Sequence, residues 1–165
     1  MNLEKMINMQ QVVDVKIAEK MPADWGGFTG YESVMHRTFA FHIELAELAN
    51  EIGFFKDWKH SHTIDMIKAR KELSDCLAFA FSIGLTRGYT KLKSEIAPFP
   101  LWQDYPYYDT FETLRSNNLD TMGKWELAIS ILIGLGLRLG LSEENIEHDF
   151  VWVCQDNIKR QEQNY

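Results

Sequence analysis

Two acidic motifs, Glu44-Leu45-Ala46-Glu47 and Glu72-Leu73-Ser74-Asp75, decide how this chain is interpreted. Each lies in a long stretch whose apolar residues recur every three or four positions, a pattern that predicts a helix. Residues three apart share one face of a helix, so antiparallel packing of the two helices brings four carboxylates together. At an effective dielectric constant of ~20, two carboxylates about 5 Å apart repel each other by roughly 3 kcal/mol. Such a cluster therefore requires protons or cations.

Carboxylate-rich ligation is what hard divalent cations prefer. The acids therefore predict a site for Mg²⁺, with Mn²⁺ as the alternative, and hence phosphate chemistry. The competing interpretation is a solvated acidic helix face. Apolar neighbours at both motifs favour the metal site, as does the lack of Lys and Arg between His42 and Lys56. For the second motif, nearby Lys68, Arg70 and Lys71 leave surface salt bridges open as an alternative.

Composition limits the class of protein. The 165 residues suffice for one core, so we expect a single domain over residues 1–165. A net charge of −7 argues against general nucleic-acid binding, which needs a basic surface. The two cysteines lie outside any CxxC motif and indicate a reducing compartment. The apolar run Leu127 to Leu141 is too short to cross a bilayer, and the N-terminal residues are too charged for a signal peptide. We expect a cytoplasmic protein without a membrane partner.

The apolar spacing throughout the chain predicts an all-α helical bundle. Ser61 or Thr63 is the expected N-cap of the third helix, and Gly53, Gly88 and Gly140 are expected to follow the ends of the second, third and fifth helices. The expected helices span about Leu3–Met21, Ser33–Gly53, Thr63–Arg87, Thr110–Asn117, Lys124–Leu139 and from Ser142 onward, with a break at Pro22 and Gly26-Gly27 after the first.

Residues 89–121 contain Pro98, Pro100 and Pro106 and many aromatic residues, and we predict that this segment is a mobile insertion. Gly134 and Gly136 lie inside the fifth helix. They lack the spacing and the preceding strand of a dinucleotide-binding loop, so we expect them to permit close helix–helix packing.

The order of these motifs resembles the dimeric, all-α dUTPase family, which is related to the MazG-type nucleotide pyrophosphatases. The four acids match that family's ExxE…ExxD metal signature, and the single Glu at position 47, followed by Leu48, favours the dUTPase branch. Further matches are Gln11 and Asp14 near the N-terminus, Asn50-Glu51 and Phe55-Lys56-Asp57-Trp58 after the first acidic motif, and Phe150, Asn157, Arg160-Gln161 and Tyr165 toward the C-terminus. The family's Lys-Asn pair falls instead on Val153 and Cys154.

The resemblance implies an Mg²⁺-dependent enzyme that hydrolyses dUTP, and also dUDP, to dUMP, and that acts as a homodimer. It implies metal binding by Glu44, Glu47, Glu72 and Asp75. We expect Glu47 to be the general base, with Glu44 and Glu51 as alternatives. The implied base-recognition residues are Gln11, Asp14 and Trp58, and the implied phosphate-binding residues are Asn157 and Arg160, with Lys159 expected to substitute for the missing family lysine.

Two alternatives remain open at this stage. A pyrophosphatase for another nucleotide, such as dCTP, uses the same metal chemistry and differs only in the groups that face the base. A non-catalytic helical protein, whose acidic face binds a basic partner, belongs to a different class. Hydrolysis of nucleotides separates the first alternative from the second.

Overall fold

The computed structural model describes residues 1–21, 31–61, 63–90, 96–100 and 105–163. Within these ranges the chain forms α-helices and no strand, which confirms the predicted all-α class. The helices are α1 Leu3–Ala18, α2 Tyr31–Ile52, α3 Met66–Thr86, α4 Tyr107–Ser116, α5 Met122–Arg138 and α6 Glu143–Glu162. The predicted break at Pro22 and Gly26-Gly27 lies outside the described residues.

The helix ends follow local capping chemistry. Asp65 caps α3, because its side chain accepts hydrogen bonds from the backbone N–H groups of Ile67 and Lys68. The predicted cap at Ser61 or Thr63 is therefore wrong. Ser142 caps α6 as predicted and forms a capping box with Asn145.

Glycines follow the ends of three helices, as the sequence predicts. Gly53, Gly88 and Gly140 have φ angles of 69°, 81° and 87°, a left-handed backbone conformation that glycine adopts without steric cost. The ends of α2, α3 and α5 are therefore set by the positions of these residues.

Helix α3 is the centre of the molecule and packs against α1, α2, α5 and α6. Its contact with α5 is close because Gly84 leaves room for the indole of Trp125. A Cβ atom at Gly84 would lie 2.3 Å from Cε2 of that ring. Trp125 is fully buried, and its Nε1 donates a hydrogen bond of 2.8 Å to the carbonyl of Ala80. One glycine and one indole thus fix how α5 lies on α3.

The glycines within α5 do permit close approach. A Cβ atom at Gly136 would lie 2.7 Å from Ile146 on α6 and 2.9 Å from Leu73 on α3, which confirms the predicted helix–helix role. Gly134 instead faces the segment 96–100, where a Cβ atom would lie 2.2 Å from the Phe99 carbonyl oxygen.

Described parts of the predicted insertion lie against the helical core. The backbone N–H of Phe99 donates to the carbonyl of Ser130 at 2.9 Å. At the start of α4, the rings of Tyr107 and Phe111 stack on Phe54, with centroid separations of 5.8 and 5.1 Å. The mobility of residues 89–121 stays a prediction.

The apolar run from Leu127 to Leu141 forms most of α5, whose residues are largely buried in the core. Among the described residues, no single helix is long and apolar enough to cross a membrane. Helices α5 and α6 have that length and composition only when taken together, across a bend of 112°.

The contact between Gly84 and Trp125 can be tested by paired substitutions. Gly84→Ala is expected to lower the free energy of unfolding by ~1–3 kcal/mol, because the added methyl group overlaps a buried ring. Gly123→Ala on α5 meets open space and should instead stabilise by about 0.5–1 kcal/mol through helix propensity. Urea unfolding of both variants measures the difference, and equal effects at the two positions would contradict this account.

Candidate active site

Helices α2 and α3 run antiparallel, and their register positions the candidate site. Glu44 on α2 meets Asp75 on α3. Seven residues earlier on α2, Arg37 meets Ser82, which lies seven residues later on α3. Displacement in opposite directions along the two helices is what antiparallel packing produces. Seven residues are two helical turns, so the same helix pair carries two polar clusters about 10 Å apart.

Three of the four predicted metal ligands converge. Carboxylate oxygens of Glu44, Glu72 and Asp75 lie within 4.8 Å of one another. Glu72 is buried, whereas Glu44 and Asp75 are partly exposed, so the cluster opens toward solvent on one side. Glu47 is exposed, and its charge raises the pKa of both Glu44 and Asp75. The predicted quartet is thus a group of three acids with a fourth near its edge.

The cluster carries an excess of negative charge. Burial, together with the charges of Asp75, Glu47 and Glu72, raises the pKa of Glu44 from an ordinary 4.5 to about 7, and only the charge of Lys71 opposes this shift. Burial also raises the pKa of Asp75. A set of converging carboxylate oxygens that resist ionisation together fits a hard divalent cation, which would stabilise their charged forms.

Lys71 lies against the same acids. Its ammonium group donates to Asp75 Oδ2 at 2.8 Å and to both carboxylate oxygens of Glu72 at 3.3 Å. Burial opposes the charge on Lys71, but the hydrogen bond to Asp75 and the two neighbouring carboxylates outweigh burial, so the pKa of Lys71 is raised. This ammonium group offsets part of the negative charge, and it confirms that the second motif has a salt-bridge partner.

A cavity of about 290 Å³ opens beside Asp75 and extends along α3 toward Ser82. Helices α1, α2, α3 and α6 all contribute to its wall, which combines apolar side chains with a few polar groups. Residues that line it include Gln10, Asp14, Arg37, Asp75, Phe79 and Asn157. One cavity therefore connects the acid cluster with the second polar cluster of the helix pair.

Asp14 is the acidic residue at the far end of this cavity. Its carboxylate accepts hydrogen bonds from Ser82 Oγ at 2.7 Å and from Gln10 Nε2 at 2.8 Å. Burial raises the pKa of Asp14, while these two hydrogen bonds and the charge of Arg37 act in the opposite direction. Burial likewise lowers the pKa of Arg37 to about 10, and Asp14 opposes that shift. The charges of Asp14 and Arg37 therefore stabilise each other within the cavity wall.

The remaining predicted residues lie at different distances from the cavity. Asn157 lines it, whereas Gln11 is exposed and lines a separate pocket on the other side of Asp14. Trp58 is 70% exposed, in the loop after α2, with its ring edge-on to Phe55. Lys159 is exposed. Arg160 forms an ion pair with Asp156 at 2.7 Å, and its charge lowers the pKa of Asp75.

Sequence reasoning missed three residues of the cavity wall, namely Gln10, Arg37 and Ser82. All three are buried and polar. Gln10 lies on the buried face of α1 with Met6, Ile7 and Val13. A polar residue within an apolar helical stripe is the signal that identifies such positions, because buried polar groups need partners. The same signal applies to Arg37, between Val34 and Phe41.

Comparison with known families agrees with this geometry. The family described as dUTPase matches residues 2–165. The chain belongs to the dUTPase family. The match covers the acid cluster, the cavity and all six described helices, and it makes the enzyme a dUTP diphosphatase of the all-α type. Searches of curated proteins and of solved structures returned no match.

The pKa of Glu44 predicts how the stability of this dUTPase family member depends on pH. Without metal, the protonated form of Glu44 is favoured by the fold, so its contribution is fully present below about pH 4.5 and is lost as pH rises through about 7. Glu44→Gln cannot ionise and should be more stable than wild type above pH 7, with a flatter stability profile.

Urea unfolding in EDTA at a series of pH values measures this difference. Glu32→Gln is the matched control, because Glu32 is exposed in the first turn of the same helix, and it should retain the wild-type slope. Parallel profiles for wild type and Glu44→Gln would show that Glu44 does not carry the effect.

Proposed function

We propose that this enzyme hydrolyses dUTP, and also dUDP, to dUMP in a reaction that depends on Mg²⁺, with Mn²⁺ as the alternative ion. The observation that carries the proposal is the convergence of Glu44, Glu72 and Asp75, of which Asp75 also lines a cavity large enough for a base. A nucleotide in this arrangement places its phosphates at the acids and its base toward Asp14.

The residues proposed to hold the metal are Glu44, Glu47, Glu72 and Asp75. When bound, the metal supplies the positive charge that neutralises phosphate oxygens. Four carboxylates and a phosphate chain repel one another strongly without it. Lys71 already supplies part of this positive charge, through its contact with Asp75.

Glu47 is the proposed general base, because it is exposed and lies on the same helix face as Glu44. Its carboxylate takes a proton from water while the water oxygen forms a bond to phosphorus. The bond to the departing pyrophosphate then breaks, or the bond to phosphate when dUDP is the substrate. Asn157 lines the cavity together with Asp75 and is a proposed contact to the phosphates. Lys159 and Arg160 are the proposed cationic contacts to them.

Asp14 is the proposed contact to the base. Gln10 lies beside it in the cavity wall, whereas Gln11 faces outward. In this proposal Gln10 therefore takes the role that the family resemblance gives to Gln11. The exposed ring of Trp58, on the loop after α2, is the proposed apolar cover of the bound base. Both cysteines are free and buried, which is consistent with the proposed cytoplasmic location.

The proposed homodimer uses an apolar stripe on α2. Met35, Phe39 and Ile43 are 52%, 70% and 44% exposed and recur every four residues, so they share one face. His36 and Ala40, on the adjoining face, line the cavity. A second copy of the chain seated on this stripe would bury these side chains and would lie at the cavity mouth.

A nucleotide panel tests the catalytic proposal. With Mg²⁺, release of monophosphate is expected from dUTP and dUDP, and little from dCTP. EDTA should abolish it. Glu47→Gln should lower kcat by ~10²–10⁴-fold, the usual contribution of a general base, with an unchanged circular dichroism spectrum. Glu144→Gln, an exposed position on α6, is the control and should match wild type. Preferential cleavage of dCTP, or no cleavage of any nucleotide, would contradict the proposed function.

The dimer is tested at Phe39. Phe39→Lys should halve the molar mass measured by light scattering after gel filtration, because a buried cation on an apolar interface is unfavourable. Ile67→Lys replaces a side chain that is 84% exposed and stands outside this stripe, and it should leave the mass unchanged. A monomeric wild-type protein at micromolar concentration would exclude the proposed dimer.

A further inference from the structure

Five side chains from four helices form a continuous series of hydrogen bonds, here called the donor chain, and all of them except Cys154 line the cavity. On one side, Arg37 Nε donates to Ser82 Oγ at 2.7 Å, and Ser82 Oγ donates to Asp14 Oδ2 at 2.7 Å. On the other side, Cys154 Sγ donates to Gln10 Oε1 at 3.8 Å, and Gln10 Nε2 donates to Asp14 Oδ1 at 2.8 Å. Both halves end on the same carboxylate.

The direction of every bond in the donor chain is fixed by chemistry. A guanidinium group has donors only, so Ser82 must accept from Arg37, and the single hydroxyl proton of Ser82 is left for Asp14. On the other side, the amide nitrogen of Gln10 must face the carboxylate, which leaves its oxygen for the thiol of Cys154. Each carboxylate oxygen of Asp14 therefore receives one hydrogen bond, and both are held as acceptors.

The donor chain is also held rigidly. Arg37, Ser82, Gln10 and Cys154 are 7%, 3%, 4% and 0% exposed. Arg37 further donates to the backbone carbonyl and the hydroxyl of Ser33, one turn earlier on α2. A buried guanidinium with this many directed bonds has little freedom to rotate. The carboxylate of Asp14 borders the cavity as the end point of this rigid series.

We propose that Arg37 and Ser82 are positioning residues for base recognition. Through Ser82, Arg37 fixes the carboxylate of Asp14 as an acceptor aimed at an N–H group of the base. The inference rests on the proposed function, in which the base enters this cavity. Arg37 acts through Asp14 and makes no contact with the substrate.

The arrangement selects an imide edge, in which an N–H lies between two carbonyl groups, as in uracil. Asp14 accepts from that N–H, and the second amide hydrogen of Gln10 serves an adjacent carbonyl. Cytosine carries no hydrogen at the corresponding ring nitrogen, so its lone pair would face the acceptor. A freely rotating carboxylate discriminates less well, because it can turn toward the amino group of cytosine. The donor chain thus accounts for specificity as well as affinity.

The test compares Arg37→Met and Ser82→Ala with matched controls elsewhere. Arg70→Met removes another arginine that is ion-paired, to Asp149 at 2.7 Å, and Ser74→Ala removes another buried hydroxyl of α3, which donates to the Arg70 carbonyl. Calorimetry measures the binding of dUMP, of dCMP and of inorganic pyrophosphate with Mg²⁺. Steady-state assays give kcat and KM for dUTP.

Both cavity variants should bind dUMP ~10- to 100-fold more weakly, the range for losing a hydrogen bond to a charged group. Their preference for dUMP over dCMP should fall, and their pyrophosphate binding should stay as in wild type. KM should rise more than kcat falls. Arg37→Lys should restore part of the dUMP affinity. The double variant should lose little more than either single variant, because the two residues act in one series. Both controls should bind all three ligands as wild type does.

Several results would overturn the inference. If wild type hydrolyses dUTP but Ser82→Ala and Arg37→Met keep its dUMP affinity and base preference, the positioning role is wrong and the proposed function stands. Should Arg37→Met fail to fold, Ser82→Ala decides the question alone. A parallel loss of dUMP and pyrophosphate binding would show a general structural effect and would also reject the inference. A wild-type protein that neither cleaves dUTP nor binds dUMP rejects both proposals.

Discussion

Repulsion between the carboxylates on α2 and α3 is the constraint on which the rest of the structure depends. Each close pair of like charges costs roughly 3 kcal/mol. The helices nevertheless stay together, because Leu45, Leu48 and Leu73 are almost fully buried between them and the core, and each buried leucine stabilises by about 2 kcal/mol. Burial of this apolar face offsets much of the cost of the polar face. The repulsion between the acids is reduced by the raised pKa of Glu44, which favours its neutral form, and by the ammonium group of Lys71. A bound cation would neutralise the remaining negative charge.

The two polar clusters of this helix pair differ in net charge, and in the proposed function they face the two ends of a nucleotide. At one end, acids exceed bases, which favours a bound cation and, in the proposed function, phosphate held by that cation. At the other end, Arg37 and Asp14 offset each other within a buried series of hydrogen bonds. In the proposed function, a neutral base is recognised there by directed hydrogen bonds, and this part of the cavity carries no net charge that would attract ions. Antiparallel packing places both ends along a single cavity.

The fold and the acidic face of each helix were predictable because they depend on periodicity within single helices. Spacing alone predicts six helices and places Glu44 and Glu47 on one face. The polar residues of the cavity wall were harder to predict, because they come from several helices and the rotation of one helix relative to another is set by tertiary packing. The choice between Gln10 and Gln11 shows the reason: one residue is a rotation of about 100° on a helix. That rotation separates a buried donor to Asp14 from an exposed side chain. Arg37 and Ser82 carry no motif of their own: the sequence marks Arg37 only as a polar residue in an apolar stripe, and its contact with Ser82 depends on how α2 and α3 pack.

Val153 and Cys154, where the sequence resemblance expects a Lys-Asn pair, have a consistent physical account. Both side chains are buried, with 5% and 0% exposure, so neither position presents a charge to a phosphate. Burial raises the pKa of the Cys154 thiol to about 12, with the charges of Asp14 and Asp75 acting in the same direction. The thiol therefore remains protonated and can only donate weakly, to Gln10. This position thus supports Gln10 in the cavity wall and presents no charged group. In the proposed function, the phosphate charge would then be balanced by the metal and by the cations of the last turns of α6, so phosphate binding would depend more on metal than it would with a lysine at this position.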